Sequence, residues 1–163
     1  MKTLLILRHA KSSWKKPSQA DHDRPLNERG KRDAPRVGLL LVEHALVPDA
    51  IVSSTAKRAR KTAELAARSS GYDRDIEYHE ELYLAKPETY IRVIRQLDDA
   101  YARAMVVGHN PGLQELLEEL TGRQVELPTA ALAQVALDIA VWRQLDANGC
   151  GVLVNLWRPK ELE

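Results

Sequence analysis

The sequence holds a single cysteine, Cys150, among its 163 residues. One thiol excludes an internal disulfide and any cysteine-rich metal site. An excess of either charge is missing too: 24 basic residues face 23 acidic ones, for a formal net charge of +1. That balance gives no electrostatic reason to expect a nucleic acid or a membrane surface as partner. Aromatic residues make up only 5% of the chain, which leaves few platforms on which bases could stack. Long apolar runs are absent. The opening stretch Met1 to Leu7 is cut off by Arg8, too early for the apolar region of a signal peptide. The run from Val37 to Val47 is interrupted by Glu43 and His44, so it does not read as a transmembrane helix. There is no internal repeat, no linker and no low-complexity tract, and no carboxylate cluster suited to a metal ion. With 44% hydrophobic and 29% charged residues, the chain reads as one globular domain over residues 1–163. The expected compartment is the cytoplasm, and no cofactor is expected.

What the chain does contain is an alternation of strand and helix signals. Leu4 to Leu7 reads as a short buried strand, followed by a polar loop from Ala10 to Asp23. Asn27 is a candidate N-cap for a helix over about 28–45, in which Pro35 is expected to favour a kink. Pro48 to Ser54 reads as a second strand and Ala56 to Ser69 as a helix stopped at Gly71. Ile76 to Tyr78 is a weak strand, and Glu80 to Ala85 is open between loop and helix. Pro87 opens a further helix. Ala104 to Val107 is a buried strand, and Leu113, Leu116, Leu117 and Leu120 mark the helix after it, ending at Gly122. Ala131 to Leu137 and Val152 to Trp157 read as closing strands, with one helical turn near Trp142 and a turn signal at Asn148-Gly149. This order predicts an α/β fold with a mostly parallel central sheet covered by helices on both faces.

The chemistry-bearing residues cluster at expected strand ends. In open α/β sheets, ligands bind beyond the carboxyl ends of the strands. Arg8-His9 follows the first strand directly, and His109 follows the strand Ala104 to Val107. An isolated Arg-His pair is usually a solvated strand end. Here the strand before it is too apolar for a surface segment, the loop after it is long, and a matching histidine exists downstream. Gly108 beside His109 suggests close backbone approach to a ligand, and Pro111 fits the first position of a helix whose N-terminus would favour an anion. In Ser53 to Thr62, the basic residues Lys57, Arg60 and Lys61 are as well explained by a solvated helix face, whereas Arg58 falls in the first turn after a strand end. Two guanidinium groups and two imidazoles at one end of a sheet describe a site for a doubly charged oxyanion.

Leu7-Arg8-His9-Ala10, the Ser53 to Thr62 stretch and Val106-Val107-Gly108-His109-Asn110-Pro111 together resemble the histidine phosphatase superfamily. Asp23-Arg24-Pro25-Leu26 and the ending Arg158-Pro159-Lys160 resemble its small SixA-type branch of phosphohistidine phosphatases. The resemblance runs through nearly the whole chain in the right order. It implies a phosphoglycerate-mutase-like fold without a large capping subdomain. It implies that His9 is the nucleophile, that Arg8, Arg58 and His109 surround the phosphoryl group, and that Asn110 lies at the pocket edge. Ala10 stands where the wider superfamily commonly has glycine. Larger members also use a carboxylate as general acid, and Glu81 or its neighbour Glu80 falls in the corresponding region, although a solvated acidic pair explains them equally well.

The implied activity is hydrolysis of a phosphohistidine N–P bond through a phosphorylated His9, with His109 preferably protonated. The implied partner is a phosphohistidine-bearing protein or a small phosphorylated molecule, met by a monomer or weak homodimer. The competing readings are a phosphatase of small phosphoesters and a weakly catalytic module that binds phosphorylated ligands.

Overall fold

A computed structural model describes residues 1–162. Six strands form one sheet: β1 (Lys2–Arg8), β2 (Ala50–Ser54), β3 (Ile76–His79), β4 (Arg103–Gly108), β5 (Leu132–Leu137) and β6 (Gly151–Trp157). Their spatial order is β3-β2-β4-β1-β5-β6. The first four are mutually parallel, whereas β5 runs antiparallel to β1 and β6 antiparallel to β5. β1 therefore lies inside the sheet with a partner on each side. This explains why its sequence is an unbroken apolar run rather than an alternating one. Its side chains still alternate between faces. Leu4 and Ile6 join the core on one side, and Leu5 and Leu7 join the core on the other.

Four helices cover the two faces: α1 (Glu28–Glu43), α2 (Lys57–Ser70), α3 (Pro87–Ile94) and α4 (Gly112–Thr121). α1 and α2 pack against the Leu5–Leu7 side through Val37, Leu41, Ala59, Ala63 and Ala66. α3 and α4 pack against the Leu4–Ile6 side through Tyr90, Ile94, Leu113, Leu116 and Leu117. Asn27 caps α1 as its side chain accepts the Gly30 N–H at 2.9 Å. Gly71 and Gly122 end α2 and α4 with φ of 74° and 73°, a left-handed conformation that costs glycine little. Pro35 lies inside α1 without ending it, and its carbonyl accepts the Ser69 hydroxyl of α2 at 2.7 Å. The segment Glu80 to Ala85 resolves into a 3-10 turn over Glu80–Leu82, and a second such turn, Asp21–Asp23, sits in the loop after β1. No additional subdomain caps the sheet among the described residues. Among the described residues, no helix is long and apolar enough to cross a membrane.

Gly108 has a different purpose from the one its sequence context suggests. A Cβ there would run into the hydroxyl and ring of Tyr90, so the close approach is made by a core side chain rather than a ligand. Gly108→Ala is expected to destabilise the fold by about 1–3 kcal/mol through overpacking, read as a lower midpoint in urea with an unchanged slope.

Candidate active site

The site follows from strand register. β1 pairs with β4 so that Arg8 lies opposite Gly108, which makes His9 and His109 neighbours at the same end of the sheet. The His9 N–H donates to the Gly108 carbonyl at 3.0 Å, and the two ring centroids are 5.3 Å apart. β2 pairs with β4 on its other side and delivers Arg58 from the first turn of α2. A cavity of about 240 Å³ opens there, and Arg8, His9, Arg58, His109 and Asn110 all line it. Four of these five expected residues come from three different strand ends and the fifth, Asn110, follows His109. The sheet is what brings them together.

His9 is held in one orientation. Its Nδ1 lies 2.8 Å from the Ala10 carbonyl. A carbonyl can only accept, so Nδ1 carries the proton, and Nε2 of the neutral ring keeps its lone pair. Burial, reinforced by the Arg58, Arg8 and Arg24 guanidiniums, pushes the imidazole down to about 4 from 6.5. His109 is more deeply buried, and burial together with His9 and Arg58 pushes it down to about 3. At neutral pH the free protein thus holds two neutral imidazoles. The protonation expected of His109 belongs to a site holding a dianion, whereas in the free protein desolvation and the neighbouring cations decide.

Those shifts carry a stability consequence. In the unfolded chain both imidazoles take up protons near 6.5, while in the folded chain they stay neutral to about 4 and about 3. As pH falls below 7, the unfolded state binds protons first and stability declines, levelling only below the folded values. At pH 5 each imidazole is expected to cost up to about 2 kcal/mol relative to pH 7. Urea unfolding between pH 7 and 4 checks this, and the decline is expected to be shallower in His9→Ala, which lacks one of the two groups.

The cationic lining exceeds what the sequence suggested. Arg24 and Lys11 also face the cavity. Arg24 is buried, with its guanidinium carbon 3.2 Å from the centroid of the Trp14 ring, and it donates to the Ser13 carbonyl at 3.2 Å and to the Ser12 hydroxyl. Asp21, in the 3-10 turn, ties the guanidiniums together. Its backbone carbonyl and Oδ2 accept from Arg58 at 2.8 and 3.0 Å, and its Oδ1 accepts from Arg24 at 2.9 Å. The Tyr83 hydroxyl also donates to Oδ2. Hydrogen bonds from Tyr83, Arg24 and Arg58 hold the Asp21 carboxyl well below the usual carboxylate range. Arg24 was visible in the sequence only as part of Asp23-Arg24-Pro25-Leu26, and Asp21 only as one more polar residue in a loop.

Glu81 does not join them. Its carboxylate pairs with Arg92 at 2.6 Å and lies 3.7 Å from His79 Nδ1. Together with Glu80 it lines a separate depression beside His22 and Tyr83. Nor does the first turn of α4 reach the cavity, whose wall on that side ends at His109 and Asn110. Pro111 takes the N-cap position of α4 rather than the first helical one. The Leu113 N–H is already spent on the His109 carbonyl at 3.0 Å. No carboxylate lines the cavity among the described residues, and none of them form a cluster of His, Cys, Asp or Glu able to hold a metal. The assembled chemistry is a fixed neutral imidazole facing several cations that do not lose their charge, with no carboxylic group lining the cavity among the described residues.

The chain is similar to known proteins in sequence and in shape. Residues 4–83 match the family model described as the histidine phosphatase superfamily, branch 1. An uncharacterized protein of Mycobacterium tuberculosis is 34% identical, over 94% of this chain and 100% of its own length. A crystal structure of SixA from Agrobacterium tumefaciens superposes with a TM-score of 0.83 at 32% identity, covering 97% of this chain and 98% of that one. The protein histidine phosphatase SixA complexed with tungstate shares the fold at a TM-score of 0.85 and 22% identity, over 99% of both chains.

Proposed function

This chain belongs to the histidine phosphatase superfamily, in its SixA type, and from that membership we propose that it hydrolyses the N–P bond of phosphohistidine, with His9 as the nucleophile. The observation that carries this reading is the pairing of a fixed His9 Nε2 lone pair with a cationic cavity that no carboxylic acid lines. In the first step the Nε2 lone pair forms a bond to phosphorus in line with the leaving group. The old P–N bond breaks and its electron pair goes to the departing imidazole. In the second step water attacks phosphorus, the electron pair of the new bond returns to Nε2, and inorganic phosphate leaves. Arg8, Arg58 and Arg24 hold the equatorial oxygens, and His109 adds a donor, so positioning and charge stabilisation supply most of the acceleration. Asn110 marks the edge of the site.

The missing acid points to the leaving group. A serine or sugar oxygen departs poorly as an alkoxide and needs a proton donor, whereas a ring-protonated phosphoimidazole departs as neutral imidazole. Asp21 is the carboxylate nearest the guanidiniums, and its hydrogen bonds keep it ionised. Glu81 is ion-paired with Arg92 outside the cavity. The absence of a capping subdomain leaves the opening accessible to a side chain carried on a protein surface. Tungstate, a tetrahedral oxyanion like phosphate, was captured in a protein histidine phosphatase of the same fold.

The test compares a phosphohistidine-bearing protein with phosphoserine and a sugar phosphate at equal concentration. The expected result is turnover of phosphohistidine with kcat/KM at least about 100-fold above either ester, the order of effect of one missing catalytic proton donor. A preference for the esters overturns the assignment.

A further inference from the structure

Ser54 closes β2 and is fully buried. Its oxygen accepts the Ala56 N–H at 3.2 Å and lies 2.8 Å from His109 Nε2. A serine hydroxyl has one proton to donate, and a neutral imidazole carries its proton on one of two nitrogens. If Nε2 held the proton, Ser54 would have to accept twice, and both its own buried proton and the buried Nδ1 lone pair would be left without a partner, two unpaired groups instead of one. If Ser54 instead donates to Nε2, its oxygen is satisfied as both donor and acceptor, and the ring proton sits on Nδ1. That nitrogen is buried and has no hydrogen-bond partner among the described residues. A buried N–H left unpaired carries a desolvation cost that an oxyanion acceptor would remove. His109 itself lines the anion cavity.

We propose that Ser54 is a positioning residue whose hydroxyl fixes His109 in the Nδ1–H tautomer, so that this histidine meets a phosphoryl oxygen as a neutral donor. The role assigned to the donor rests on the phosphatase reading above, but the tautomer itself does not. A hydroxyl suits the task better than a carboxylate. It orients the ring without pulling a proton onto it, in a cavity already crowded with Arg8, Arg24 and Arg58. Hydrogen-bond partners of this kind set which ring nitrogen is protonated.

Long-range nitrogen–proton correlation spectra of the full chain with labelled histidine, at pH 7, read the tautomer directly. The expected result is a protonated Nδ1 and a lone-pair Nε2 at His109, shifting at Nδ1 when tungstate is added. In Ser54→Ala the tautomers are expected to mix. There kcat on a phosphohistidine-bearing protein is expected to fall roughly tenfold or more, with KM changing less than about threefold, as for a weakened transition-state donor. Ser54→Cys, close in volume and a weak donor, is expected to fall between the two proteins. A wild-type spectrum with the proton on Nε2 overturns the proposal, as does a Ser54→Ala protein with unchanged tautomer and unchanged kcat. If no phosphohistidine probe is turned over, the phosphatase reading falls, and the wild-type spectrum still decides the tautomer.

Discussion

Replacing His9 by alanine is expected to lower turnover of a phosphohistidine substrate by at least about 10⁴-fold, because the proposed covalent step loses its nucleophile. The prediction has two parts that separate chemistry from folding. The wild-type chain, quenched in base during turnover of a labelled phosphohistidine protein, is expected to retain label at His9, and the variant none. The variant is also expected to be folded and more acid-tolerant, since an imidazole held neutral to about 4 has been removed from a buried position. Turnover persisting in a folded His9→Ala protein would show that the nucleophile lies elsewhere.

Arg58→Ala is expected to cost about 10³-fold in kcat/KM, and more than Arg8→Ala, for which about 10²-fold is expected. The difference comes from what each arginine leaves behind. Arg8 donates to the Leu127 carbonyl at 3.2 Å and keeps an unpartnered buried Nε, so its removal deletes one cation and little else. Arg58 is bonded twice to Asp21. Without it, an ionised carboxylate loses a partner beside the site where a dianion must bind. The repulsion adds to the lost attraction. The double variant Arg58→Ala/Asp21→Asn is accordingly expected to recover roughly tenfold of the loss, a coupling typical of charged neighbours. Steady-state kinetics on the four proteins of the cycle measure it, and a strictly additive cycle would mean that Asp21 is not felt by the bound anion.

The contacts of Asp21 also mark where sequence reading stops. Arg8, His9, Arg58, His109 and Asn110 could be found because each lies at or just after the end of a strand or in the first turn of a helix, and such positions follow from local apolar patterns. Arg24 and Asp21 sit in the long loop after β1, where no periodicity assigns a direction to a side chain. Their place is decided by the pairing of Ser12 with Leu26 and by Arg58 reaching back from α2. Glu81 lies apart from the cavity for the mirror reason. Its position in the chain suited a general acid, but its side chain found Arg92 eleven residues away on α3 instead. Gly108 was correctly singled out and wrongly explained, since the group that needs the space is Tyr90.

The sequence by itself determined the strand and helix segments, the residues at the strand ends that line the cavity and the family to which the chain belongs, because short-range burial patterns and contiguous motifs are written residue by residue. Only the tertiary structure decided that β1 lies between a parallel and an antiparallel neighbour, that Asp21 braces two guanidiniums, that both imidazoles rest neutral and that the cavity has no carboxylic acid. Each of these depends on which distant segments touch and how much water is left between them, and protonation follows from that local dielectric rather than from residue order.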